Sequence, residues 1–469
     1  MKKKFIVFAL VLVAFTSLIF ADNLQKVYPV DSPIYSGIKV LYSEVGMAPP
    51  STSGPWSAAE FIHMLQIIPQ NSLNQKGKEL YSKLLSAIDK PNMDKKVAQG
   101  SVKFYPNFEI YQHQNTTDYK YDSDWIYDYD SRKPLLDIPI ELYLTDYIYS
   151  ESNFAFLKTR ITYNNQTSTT DSSEIYSPSF NTNYPFGEDL VDQVDLNFPE
   201  RAVIGMGFMN SALTLGRDDL NFSSGKTGSL TVGDHLDYYD FVRFNTFTDD
   251  FKFTYLVAGF DSPSWIDHNQ NNTVDDDDIT ITTDSDDDVS GVSDNDDDNL
   301  KMYIAHRFEF RWLNNHLNFA LTEAIIYQSS TIDFRYLNPA LFYHNLFIRG
   351  NANSTLSAEV EITPIRHITI YGNIVVDEFP YPGEDQTSSG AHPNGIGQQY
   401  GVEATYLVGP GSLTGWFEYV KTDPFLYLRD GVDYIVQRRM FNMENGLYLD
   451  KNFLGYEYGN DIINIATGL

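Results

Sequence analysis

Cysteine is absent from the 469 residues. That excludes a disulfide framework, and with it the acylated cysteine that tethers many exported proteins to a membrane. Positive charge is scarce: 33 Lys and Arg stand against 63 Asp and Glu, a formal net charge of −30. Nucleic acid is excluded as a partner, because its phosphates require a basic surface. Cations, or a well-solvated outer face, suit such a chain better. Long apolar runs are also missing, with one exception at the N-terminus. There Lys2, Lys3 and Lys4 precede an apolar run from Phe5 to Phe20, followed by Ala21 and Asp22. This is the pattern of a secretory signal peptide over 1–21, cut near Ala21, and the run is short for a membrane-crossing helix.

Aromatic residues are abundant. The 33 Tyr and 31 Phe exclude a disordered polymer, while a mean hydropathy of −0.32 keeps the chain polar on average. Strands greasy on one face and polar on the other reconcile the two, as in a transmembrane β-barrel.

Residues 22–98 differ from the rest. Asp31, Ser32 and Pro33 form a helix start, after which Ile34, Ile38, Leu41 and Val45 share one helical face. Ser57 and Glu60 in "SAAE" make a capping-box pattern before Phe61, Leu65 and Ile68, and a third helix is expected from about Lys76 to Ile88. The segment reads as a small helical module.

Beyond residue 99 the period becomes two. "KMYIAHRFEFRW" sets Met302, Ile304, Phe308, Phe310 and Trp312 against Lys301, Tyr303, Arg307, Glu309 and Arg311. "STLSAEVEIT" sets Leu356, Ala358, Val360 and Ile362 against Ser357, Glu359 and Glu361. Strands are expected near 101–113, 134–149, 153–164, 201–209, 211–217, 238–248, 251–260, 301–312, 316–328, 354–363, 367–377, 398–408 and 412–422. A further strand is expected near 446–458, leaving "DIINIATGL" to run outward.

A soluble β-sandwich would alternate in the same way, so loop lengths decide. "ESN", "DD", "LNN", "PIR" and "GPG" mark short turns, and they alternate with long connections at 165–200, 218–237, 261–300, 329–353 and 378–397. Outer-membrane barrels show this asymmetry, with short turns on the periplasmic side. The expected fold is therefore all-β: an antiparallel transmembrane barrel of about 14 to 18 strands over 99–469, with a periplasmic helical module at 22–98. Its acidic loop 261–300 faces outside, Ile304 faces lipid, and Arg307, Glu309, Arg311, Glu359 and Glu361 face the lumen.

The residues also carry a family resemblance. "GRDDLNFSSGKTGSL", Gly216 to Leu230, resembles the Gly-Arg, Trp-Gly-Pro-Gly, Ser-Leu segment of the capsule assembly (Wzi-like) outer-membrane proteins. Phe222 stands in place of the Trp, and Ser223 and Ser224 in place of Gly-Pro. "YLNPALF", "IYGNIVVDEF" and "SPIYSGIKVLYSEVGM" with "GPWSAAEFIHML" are similar to other parts of that family. The resemblance implies a monomeric barrel in the outer membrane of a diderm bacterium, set in lipid and holding surface polysaccharide. It also implies glycan contacts at Arg217 and Ser229.

Two outer loops suggest ligands. "DHNQNNTVDDDD" places Asp267, Asn269, Asn271, Thr273, Asp275 and Asp278 at positions 1, 3, 5, 7, 9 and 12 of a calcium loop, similar to dockerin-type and EF-hand loops. Calcium is thus the expected cofactor, in a structural role. "YKYDSDWIYDYDS" interleaves aromatics with Asp, and its Trp125 suits a sugar face. Chemistry is not expected: G-x-S-x-G, H-E-x-x-H and Walker patterns are all absent, and His306 reads as a packed histidine. The alternatives to a polysaccharide-binding barrel are a porin-like diffusion channel and a secreted, calcium-dependent β-rich adhesin.

Overall fold

The structure, a computed structural model, describes residues 23–91, 97–112, 133–156, 180–183, 199–208, 210–261, 300–343, 351–378, 394–409, 411–428, 432–442 and 446–469. Period-two patterning builds one large antiparallel sheet whose strands neighbour each other in chain order. They are β1 (Ala98–Val102, continued by Tyr105–Pro106), β2 (Leu136–Leu144), β3 (Ile148–Phe156), β4 (Arg201–Phe208), β5 (Ser211–Asp218), β6 (Tyr239–Phe247) and β7 (Phe251–Phe260). β8 (Leu300–Trp312), β9 (Leu317–Ser329), β10 (Ala352–Ile365), β11 (Ile368–Glu378), β12 (Gly395–Val408), β13 (Gly411–Thr422) and β14 (Ile462–Gly468) complete it. Both segments of β1 pair with β2, so the fifteen strand segments trace a path of fourteen. Among the described residues, the end strands β1 and β14 are not hydrogen-bonded to each other.

The two faces are as different as the alternation demands. Leu356, Val360, Ile370, Ile374, Val402 and Phe417 are exposed on the outside, whereas Glu359, Glu361, Thr363, Asn373, Gln399 and Glu418 are buried inside. The outer set forms the apolar belt that a barrel presents to lipid.

Three expectations are corrected. "ESN" is not a turn: residues 151–153 lie within β3, and the chain reverses at Thr145–Tyr147, with Thr145 at φ 55°. Glu151 points inward instead, where Arg201 pairs with it. Residues 446–458 do not return through the sheet: Gly446–Phe453 pairs with Ile435–Asn442 as a separate hairpin, and β14 is the strand that pairs with β13. The expected strand 101–113 is broken, since Ile110–Gln112 leaves the main sheet to pair with Phe180–Thr182.

Ile304 is a further correction. It lies on the outward parity of β8, opposite Val257 and Ile325, yet it is fully buried. The chain after β9 folds back over the outside of the wall, and Tyr336, Leu337, Leu341 and Tyr343 pack on Met302, Ile304, Ile325 and Tyr327. Tyr343 also stacks on His306 at 4.9 Å, and His306 Nε2 lies 2.6 Å from Glu323 across the strand pair. His306 is thus the packed histidine its parity suggested.

The helices form where the caps dictate. Helix α1 (Pro33–Val45) opens with Ser32 accepting from the Ile34 amide, and α2 (Ala58–Ile67) with the reciprocal Ser57–Glu60 box. Asn74 caps α3 (Gln75–Ala87). Their apolar faces pack on one another around Ile38, Leu41, Phe61, Leu65 and Leu84. The cluster sits on the short-turn end of the sheet. Asn23 donates to the carbonyls of Thr145 and Ile148, the Ala48 amide to Asn315, and the His367 amide to Ser43.

Candidate functional site

The space enclosed by the sheet is filled from both ends. From the short-turn end, residues 47–57 run from α1 to α2 through the lumen. Arg311 donates to the carbonyls of Ala48 (2.8 Å) and Pro49 (2.7 Å), and the hydroxyls of Ser51 and Ser53 donate to Glu309 (2.8 and 2.7 Å). Arg307 donates to Thr52 Oγ1 (2.9 Å) and Glu359 (3.2 Å), and Lys252 pairs with Glu60 (2.6 Å). Arg243 donates to the Pro55 carbonyl and approaches Glu60 at 3.8 Å, while Asn318 donates to Glu361. Four cations (Arg243, Lys252, Arg307 and Arg311) therefore meet four carboxylates (Glu60, Glu309, Glu359 and Glu361). The inward charges expected from the alternation do face the lumen, but Arg307, Glu309, Arg311 and Glu359 are spent on a segment of the same chain, and Glu361 on Asn318 of the wall.

From the long-loop end, residues 219–238, 423–428, 432–436 and 453–456 turn inward. Leu220, Phe222, Leu230, Val232, Leu426, Tyr434 and Leu454 are buried in one apolar cluster with the inward residues Tyr239, Leu256, Tyr303 and Ile326. The two fillings meet where Asn221–Phe222 pairs with Ser53–Gly54 as a small antiparallel ladder.

The tip of the first inward loop is built around one carboxylate. Glu418 accepts from the amides of Lys226 (2.8 Å) and Thr227 (3.0 Å) and from the Tyr371 hydroxyl (2.7 Å). Gly225 passes so close to Gln399 that a Cβ would lie 2.1 Å from its amide nitrogen, and Gly228 sits at φ 115°. Only glycine meets both demands.

That tip delivers Lys226 to a cavity of about 650 Å³ at the short-turn mouth, between α1, α3 and the ends of β12 and β13. Lys39, Glu403, Thr405, Thr414 and Trp416 line its wall, and Lys76 and Lys83 its rim. Lys226 pairs with Glu403, and Lys39 Nζ lies 3.9 Å from the same carboxylate. Burial, together with the adjacent Lys39 ammonium, holds the pKa of Lys226 below that of an ordinary lysine. An aromatic ring, hydroxyl groups and converging charges suit a polar organic ligand.

Of the residues singled out from sequence, Arg217 faces outward from β5, bonded to Asp240 (2.9 Å) and stacked 3.8 Å from the Tyr238 ring. Ser229 is inside and fully buried, accepting from the Thr231 amide (3.1 Å). The fold does not bring these two into one open site. Trp125 and the calcium positions Asp267, Asn269, Asn271, Thr273, Asp275 and Asp278 lie outside the described residues. Lys39, Lys226, Glu403 and Trp416 were not anticipated. Glu403 and Trp416 do sit on the inward parity of their strands, but their convergence with a helix and a distant loop is tertiary.

No protein-family profile matches the chain, and no curated protein does. Solved structures do. One is described as Wzi, an outer membrane protein involved in group 1 capsule assembly in Escherichia coli and a carbohydrate-binding β-barrel. It aligns over 94% of this chain and 80% of its own, with a TM-score of 0.51 at 10% identity. Pseudomonas aeruginosa OccK5 (61% and 76% covered, TM-score 0.25, 10% identity) and a P. aeruginosa FadL homologue (76% and 84%, 0.24, 9%) align far more loosely. The fold expected from the resemblance is the fold observed, that of an outer-membrane β-barrel.

Proposed function

We propose, with that carbohydrate-binding barrel fold as the premise, that this chain sits in the outer membrane and holds surface polysaccharide on the cell. The observation that carries the reading is the filled lumen: the chain closes its own barrel with residues 47–57 and 219–238, which meet at the Ser53–Phe222 ladder. A diffusion channel needs an open path bearing unspent charge, whereas here Arg307, Glu309 and Glu359 are committed to the filling. The porin-like alternative is therefore disfavoured. In this reading the helices and short turns face the periplasm, the apolar belt faces lipid, and the long loops face the polysaccharide. The protein is monomeric and acts as a binding protein without catalysis.

Calcium belongs to the same reading through the acidic loop. Asp267, Asn269, Asn271, Thr273, Asp275 and Asp278 would supply the oxygens, and at the millimolar calcium of an extracellular medium even a weak site, with a dissociation constant of roughly 0.1 to 1 mM, would fill. The test is capture of the source organism's own surface polysaccharide by the detergent-folded protein, with calcium present and with it chelated. Retention that falls on chelation is the expected result. Retention indifferent to chelation removes calcium from the reading, and no retention in either condition contradicts polysaccharide holding itself.

A further inference from the structure

We infer that residues 330–343 form a cover seated in the outer leaflet of the membrane, with the acyl chains of that leaflet as its partner. The inference needs only the outer-membrane barrel fold and is independent of what the long loops bind. It begins with an ionisable pair on the outside of the wall. His306 and Glu323 lie side by side on the outward parity of β8 and β9, and His306 stands midway along β8. Their row across the sheet is otherwise apolar: Phe244 and Tyr255 precede them and Leu356 follows. Phe244 and Leu356 are both exposed. At that height the barrel meets hydrocarbon, in which a bare ionisable pair is costly.

The cover takes the pair out of hydrocarbon. Tyr343 stacks flat on the His306 ring and Phe342 meets it edge-on at 6.2 Å. Only 2% of the His306 side chain and 7% of that of Glu323 remain exposed.

Strand register sets the depth of the cover. Arg217 and Asp240, at the long-loop ends of β5 and β6, share a row with Met302 and Tyr327. Tyr336 packs on Tyr327 at 5.0 Å, so the cover starts at this polar rim. Tyr343 reaches His306, four positions further along β8 than Met302, a descent of about 10 Å for a strand tilted as barrel strands are. The row between the two carries Ile204, Leu215 and Val242, all exposed, on its way to Ile304. The cover therefore lies at the height of the apolar belt.

Its outer surface suits that position. Ile332, Phe334 and Phe342 are exposed, and the only charges among them, Asp333 and Arg335, answer each other (Nε to Oδ1, 2.9 Å) beside Tyr336 at the rim. With Phe244 on one flank and Leu356 on the other, this face continues the surface that the barrel gives to lipid, and acyl chains are what covers it.

The chain has no cysteine, so Phe342→Cys, Phe334→Cys, Ile370→Cys and Ser82→Cys variants of the full protein can each carry one nitroxide label. Folded into phosphatidylcholine vesicles, they are read by electron paramagnetic resonance with two relaxants: oxygen, which concentrates in hydrocarbon, and a water-soluble nickel chelate. Ile370 is exposed on the belt and Ser82 on helix α3, so they mark lipid and water. The label at 342 is expected to respond like that at 370, relaxed by oxygen and shielded from nickel, and the label at 334 to fall between the two references. Nickel relaxation at 342 equal to that at 82 would place the cover in water and overturn the inference. Shielding from both relaxants would overturn it equally, because protein, such as a second copy of the chain, would then cover the face. Should Phe342→Cys fail to fold, Phe334→Cys decides: nickel relaxation equal to that at 82 counts against the inference. The purpose of the cover is tested separately. Tyr343→Ala bares His306 and should lower the fraction that folds into vesicles, and His306→Leu with Glu323→Leu in that background should recover it. No recovery would mean that the cover is not there to keep lipid off the pair.

Discussion

Replacing Arg307 with methionine is expected to destabilise the folded barrel by about 3–5 kcal/mol, the cost of breaking a buried ion pair from one side. Arg307 is completely buried and donates to Glu359, Thr322 and Thr52, with Glu309 a further 3.7 Å from its Nε. It is one of the four cations that balance four lumen carboxylates. Its loss leaves Glu359 without its paired cation, in a space that residues 47–57 close to water. Much of the cost is thus the charge left behind, so Arg307→Met combined with Glu359→Gln should recover part of it. Urea unfolding in lipid vesicles, followed by gel mobility, measures both. A single variant within about 1 kcal/mol of the parent, the range of a solvent-exposed salt bridge, would show that water reaches this network and that the lumen is not filled as described.

Ile304→Arg is the second large effect. On an open lipid face an arginine costs about 2–4 kcal/mol at mid-membrane, and that is the expectation for Ile370→Arg, which is exposed on the belt. Ile304 lies instead beneath Tyr336, Leu337, Leu341 and Tyr343. An arginine there must either stay buried without a partner or lift the covering segment and forfeit its packing. The cost should exceed that of Ile370→Arg, and residues 330–343 should become sensitive to protease only in the Ile304 variant. Equal costs with equal protection would mean that the segment does not cover the wall.

The wall was legible in the sequence because its cause is local. A strand that separates lipid from lumen must alternate, and "KMYIAHRFEFRW" states both faces of β8 residue by residue. Helix starts were legible for the same reason: Ser32–Pro33 and Ser57–Glu60 satisfy their own amides within one turn. What the sequence concealed is how the lumen and outer surface are covered. "ESN" has the composition of a turn, but Glu151 answers to Arg201, 50 positions away. "GLYLDKNF" alternates like a wall strand, but it pairs with its sequence neighbour 435–442. The tyrosines at 336 and 343 give no local sign that they will fold over Ile304.

The candidate site was less legible than the wall. The Gly225–Gly228 tip could be marked as a tight turn, since only its own backbone demands that. Lys39, Lys226 and Glu403 come from a helix, a loop and a strand, so nothing short of the fold puts two ammonium groups beside one carboxylate. Arg217, which the resemblance implied as a glycan contact, is paired with Asp240 on the outer face.

Recording across a planar bilayer holding the purified, folded protein tests the central claim most directly. A barrel closed by its own residues 47–57 and 219–238 is expected to insert without any stable conductance step. A steady, reproducible open level in the parent would contradict the filled lumen and return the protein to the class of diffusion channels.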